Sequence, residues 1–130
     1  MQANPVSVVP YDLVGGEAVV RQIVDRFYDY MDELPEARPL RDIHAPDLAP
    51  MRQKLFEFMS GWLGGPPLYF KRPDAKCMGS AHQPFAIDAA LRDQWMLCMS
   101  RALDEVSMAA DLRQKIERAL QQMTEAMRNR

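Results

Sequence analysis

Apolar residues recur every three or four positions through most of this chain, and four stretches do so strongly enough to predict helices. In the first, Val20, Ile23, Val24, Phe27, Tyr28 and Met31 share one face while Arg21, Gln22, Asp25, Arg26 and Asp29 share the other. That spacing predicts an amphipathic helix over 17–33, ended by Pro35. The second, over 50–62, carries Met51, Leu55, Phe58, Met59 and Trp62 on one stripe with Arg52, Gln53 and Lys54 outside. Asp47 stands where it can cap this helix, Pro50 is tolerated in a first turn, and Leu63-Gly64-Gly65-Pro66-Pro67 stops it. The third, over 88–106 and capped by Asp88, turns Leu91, Trp95, Cys98, Met99, Ala102, Leu103 and Val106 inward. The fourth, over 110–128 with Ser107 or Asp111 at its start, does the same with Leu112, Ile116, Ala119, Leu120, Met123 and Met127.

The intervening segments read differently. Tyr11-Asp12-Leu13-Val14 predicts a single turn halted by Gly15-Gly16. Pro35, Pro39, Pro46 and Pro50 leave room only for short turns between the first two helices, with Leu40, Ile43 and Leu48 as anchors and His44 among them. After Leu68-Tyr69-Phe70 a long loop runs to Gly79-Ser80-Ala81-His82-Gln83-Pro84-Phe85-Ala86-Ile87. So long a loop in so small a domain usually has a functional cause. No stretch alternates with period two, no Asn-Gly or Asp-Gly hairpin signal occurs, and no repeat is visible, so the expected class is all-α. Residues 1–10 are expected to form an N-terminal arm and residues 11–130 one domain.

Composition narrows the function. A chain of 130 residues is one domain, able to bury roughly two-thirds of its unfolded surface. The net charge is −2, and basic residues cluster no further than pairs such as Lys71-Arg72, which argues against nucleic-acid binding. Apolar runs are too short to span a membrane. Met1-Gln2-Ala3-Asn4-Pro5 lacks the pattern of a secretory signal, and two cysteines make neither a disulfide scaffold nor a zinc site, so the expected setting is cytoplasmic. Ten methionines suit a core that wraps something flat.

Several blocks in order carry a family resemblance. They are the two Gly-Gly pairs, Phe27-Tyr28, Gly61-Trp62-Leu63-Gly64-Gly65-Pro66-Pro67-Leu68-Tyr69, His82-Gln83-Pro84-Phe85-Ala86-Ile87 and Trp95-Met96-Leu97-Cys98-Met99. Together they resemble the group II (O-type) bacterial truncated haemoglobins from about Tyr11 to Arg128. The resemblance implies a two-over-two helical sandwich around haem b (iron protoporphyrin IX), with His82 as the proximal iron ligand. Tyr28 and Trp95 match the family's polar distal residues, and His44 falls beside the ligand position. Met51, Leu55, Phe58, Tyr69, Phe85 and Ile87 are then expected in the haem pocket. One departure stands out: the family's common arginine before the proximal histidine is Ala81 here. Tyr69, Lys71, Arg72 and Lys76 are the candidates to hold the haem propionates instead.

The chemistry agrees with those assignments. Haem is a broad apolar plate that needs apolar side chains on both faces and one strong axial donor, which a neutral imidazole supplies. O2 held on haem gains negative charge, and a phenol or an indole N–H is a suitable donor to it. The implied function is binding of O2, and of other small ligands such as NO, CO, peroxide or sulfide, for sensing, scavenging or redox work rather than bulk transport. An enzymatic alternative is a haem peroxidase or NO dioxygenase served by a separate reductase, since the chain contains no flavin or nicotinamide domain. A cofactor-free helical interaction module is the non-enzymatic alternative. The expected assembly is a monomer or homodimer.

Overall fold

The computed structural model describes residues 9–130, and among these every regular element is helical. The elements are α1 (Pro10–Val14), α2 (Glu17–Glu33), α3 (Arg38–Asp42), α4 (Ala49–Trp62), α5 (Met78–His82), α6 (Ala89–Asp104) and α7 (Ala110–Ala126). Short 3₁₀ turns at Pro35–Ala37 and Tyr69–Lys71 punctuate the connections. Packing joins α2 to α4 and α6 to α7, and α2 lies against α6, so two helix pairs stack as the two-over-two arrangement requires. Of the N-terminal arm, residues 1–8 lie outside the described residues. Pro10, assigned to that arm, instead opens α1.

The periodicity of α2 translates directly into burial. Val20, Ile23, Val24, Phe27, Tyr28 and Met31, the whole predicted stripe, are its buried residues. In the other long helices the stripe divides. Phe58 and Met59 of α4, Cys98, Met99, Ala102 and Leu103 of α6, and Ile116 and Leu120 of α7 are buried. Met51, Leu55, Leu91, Trp95, Met123 and Met127 lie on the same stripes yet are only half-buried, because that section of each helix faces a cavity rather than a neighbour. The stripe on α4 also misses Phe56, which is buried with the Arg21 guanidinium 3.8 Å over its ring.

Caps and glycines set the joints. Asp88 caps α6 by accepting from Leu91 N–H at 2.9 Å. Asp47 accepts from Ala49 N–H at 3.0 Å, but Leu48 rather than Asp47 is the N-cap residue of α4, so the expected start moves one residue. Gly15, at φ 121°, lets the chain turn sharply between α1 and α2. At Gly65 the requirement is space: a Cβ there would fall 2.4 Å from the Tyr11 ring. Tyr11 N–H also donates to Leu63 O at 2.9 Å, so the second Gly-Gly pair is the socket for α1.

One expectation needs correction. The stretch before His82 is not simply a loop: it ends in α5, whose last residue is His82 itself. Five residues leave too little periodicity to read, and a helix that short has no stability of its own.

Candidate functional site

The half-buried stripes of α4, α6 and α7 converge on a cavity of about 600 Å³, within the range of cofactor sites. His82, Tyr28, Trp95 and His44 all line it, although they come from α5, α2, α6 and the α3–α4 connection. Met51, Leu55, Phe58, Tyr69, Phe85 and Ile87 line it as well. Leu40, Ile43, Leu91, Met123 and Met127 complete a predominantly apolar wall.

Phe27 organises the aromatic side. Only 1% exposed, it packs edge-on to Tyr28 and tilted against Trp95, with both centroid separations 4.9 Å. One core ring therefore fixes two residues of the wall. Tyr28 is itself 3% exposed, and its hydroxyl has no hydrogen-bond partner among the described residues. Yet among the described residues no polar side-chain atom sealed from solvent lacks a partner, so this hydroxyl must open onto the cavity. Burial pushes the phenol well above its ordinary range, with the Arg52 charge opposing, and it stays protonated as a donor. The Trp95 indole N–H, which can only donate, likewise has no protein acceptor among the described residues.

His44 presents a defined tautomer. Its Nδ1 lies 2.8 Å from Leu40 O, which can only accept, so Nδ1 carries the hydrogen and Nε2 keeps its lone pair. Burial lowers its pKa; the Leu40 bond opposes this, and the charges of Arg41 and His82 add to the lowering. The ring stands edge-on to Tyr28 at 6.2 Å.

The cationic edge differs from the expected set. Lys76 lines the cavity, but Lys71 and Arg72 do not. Arg72 is paired with Glu57 on α4 and has Asp74 at 3.8 Å. Tyr69 lines the cavity, but its hydroxyl donates to Lys76 O at 2.8 Å and accepts from Lys76 N–H at 3.1 Å. Its one hydrogen is spent on holding that loop, so it is not available to a carboxylate. Two cations that sequence reasoning missed, Lys54 and Arg92, line the cavity instead. Arg92 is held by Asp93 at 3.0 Å and by Glu125 of α7, whereas Lys54 has no ion-pair partner among the described residues. The available signal was spacing: Lys54 lies three residues after Met51, and Arg92 three before Trp95.

The donor set bears on what the cavity can hold. Among the described residues no group of three or more His, Cys, Asp or Glu could hold a bare metal ion. Two imidazoles in an apolar wall, His82 and His44, with two uncommitted donors and a cationic edge, fit an apolar metal chelate bearing acidic substituents.

Comparison with known proteins leads the same way. Residues 9–129 match the family model described as bacterial-like globin. The chain is 42% identical to a cold-adapted truncated haemoglobin of Pseudoalteromonas haloplanktis TAC125, covering 94% of this chain and 98% of that one with a TM-score of 0.90. It is 37% identical to a group II 2-on-2 haemoglobin of Agrobacterium tumefaciens, covering 98% of each chain at a TM-score of 0.91. It is also 33% identical over 105 residues to the group 2 truncated haemoglobin YjbI of Bacillus subtilis, covering 81% of this chain and 76% of that protein.

Proposed function

Because this chain belongs to the bacterial-like globin family, we propose that it holds haem b in the 600 Å³ cavity through His82 and binds O2 or a similar small ligand under Tyr28 and Trp95. Haem, when bound, would be held by the His82 imidazole and would supply an iron able to take an exchangeable small ligand. The observation that carries the reading is the pair of uncommitted donors on the wall His82 also lines: a buried phenol and an indole N–H, both braced by Phe27.

The residues divide the work. His82 would provide the nitrogen that holds the iron. Tyr28 and Trp95 donate to the small ligand, and hydrogen bonds to a charged acceptor are worth roughly 1.5–3 kcal/mol each. Two of them slow ligand loss by on the order of a hundredfold, which suits sensing, scavenging or redox work better than bulk transport. His44 Nε2, with its lone pair, would accept from a protonated ligand. Leu55 offers no donor, so it adds no third hydrogen bond to the ligand. Lys54, Lys76 and Arg92 hold the haem carboxylates in place of the charge that Ala81 lacks. The protein works in the cytoplasm, and redox turnover draws on a separate reductase.

The test is spectroscopic. Protein loaded with haem is expected to show a Soret band that depends on His82. An unchanged band in His82→Gly would overturn the axial assignment.

A further inference from the structure

The segment that follows His82 has little of its own to hold it. From Gln83 to Ala86 every residue is exposed, and no helix runs through it until α6 begins. Its local backbone bonds are Gln83 N–H donating to Ser80 O at 3.4 Å and Phe85 N–H donating to His82 O at 3.0 Å, the second closing a four-residue turn on the histidine. The next partners come from the far end of the chain. Asn129 Oδ1 accepts from Ile87 N–H at 2.8 Å, and Asn129 Nδ2 donates to Phe85 O at 2.8 Å. Ile87 O in turn accepts from Asn129 N–H at 2.9 Å and Arg130 N–H at 3.2 Å.

The chemistry of this clasp specifies asparagine. Ile87 N–H can only donate and Phe85 O can only accept, so the side chain must offer one acceptor and one donor, as a primary amide does. The two partners also fix which way the amide points. Asn129 reaches its station because α7 continues in single turns past Ala126. Met127 N–H donates to Thr124 O and Arg128 N–H to Glu125 O, both at 3.2 Å, and Glu125 is gripped from both sides by Arg92 and Arg128. Phe85 and Ile87, whose backbones it holds, both line the cavity, as does Met127. A hydrogen-bonded line thus runs from Asn129 through Phe85 to the carbonyl of His82.

We propose that Asn129 is a positioning residue for the proximal side, clasping the turn after His82 so that the imidazole and the apolar floor beside it keep one geometry. This rests on His82 as the axial ligand, yet it can fail separately from that reading. The experiment compares haem-loaded wild type, Asn129→Ala and Asn129→Asp by haem transfer to an excess of apomyoglobin and by the iron–histidine stretching band of the ferrous protein. Asn129→Ala is expected to lose haem about tenfold faster, as the loss of two hydrogen bonds implies, and to shift or broaden the band. Asn129→Asp, which keeps acceptance from Ile87 N–H, should fall between the two and carries the same test should the alanine variant not fold. Haem transfer within about twofold of wild type overturns the proposal. So does faster transfer, or a lower melting temperature, with an unmoved band, since that makes Asn129 a stabiliser and not a positioner. If His82→Gly keeps the native spectrum, the axial reading falls first and the Asn129 proposal with it.

Discussion

The wall bearing Tyr28 and Trp95 and the segment bearing His82 solve the same problem by different physics. Tyr28 and Trp95 stand on α2 and α6, helices of 17 and 16 residues whose other turns are sunk in the core. Their rings are set by close packing against Phe27, and close-packed interiors resist displacement from every side. His82 ends a five-residue helix with exposed chain on both flanks. That region is tied down by hydrogen bonds between side chain and backbone: Tyr69 to both polar groups of Lys76 before it, and Asn129 to Phe85 and Ile87 after it. The lesson is that rigidity from packing and rigidity from a few polar clasps fail differently, one by large cavity costs and the other one bond at a time.

The contrast can be broken most forcefully at the donors. Replacing Tyr28 and Trp95 together by phenylalanine is expected to speed O2 dissociation about a hundredfold or more, with each single change near tenfold. Stopped-flow displacement of O2 measures this, and rates within a few-fold of wild type would remove the two residues from ligand stabilisation. Truncating their brace tests packing rather than chemistry. Phe27→Ala should destabilise the fold by about 3–5 kcal/mol in denaturant titration; a cost below about 1 kcal/mol would mean that the rings are placed by something else.

Smaller effects sharpen the other side. Tyr69→Phe removes both bonds to Lys76 while keeping the ring against Phe58, and should cost about 1–2 kcal/mol with a few-fold faster haem loss. A loss of stability with unchanged haem transfer would separate that loop from the proximal geometry. The smallest effect is titrational. The folded pKa of His44 lies below its ordinary 6.5, chiefly through burial. The unfolded chain therefore binds its proton first, and the stability contributed by neutral His44 is full above pH 6.5 and lost as pH falls through the lower folded value. The apoprotein of His44→Phe should lose less melting temperature between pH 7 and pH 5 than wild type. An equal loss in both would exclude His44 as a source of the acid sensitivity.

Period and local chemistry make much of the fold legible in the chain. The 3.6-residue stripe of α2 predicted each of its buried side chains, Asp88 announced the start of α6, and the glycine pairs announced the joints around α1. The apolar stripes of α4, α6 and α7 were legible too, along with Met51, Leu55, Phe58 and Trp95 as inward residues. The same stripe cannot tell a residue that faces a neighbour from one that faces a cavity, because both are apolar and equally spaced. The folded packing sets where each stripe divides. It also decided the charges: Arg72 is consumed by Glu57, while Lys54 and Arg92, which follow no apolar rule, reach the cavity edge. The clasp between Asn129 and Ile87 joins residues 42 apart, with nothing periodic to announce it. Period reports the face a side chain occupies; only the folded chain reports what stands opposite.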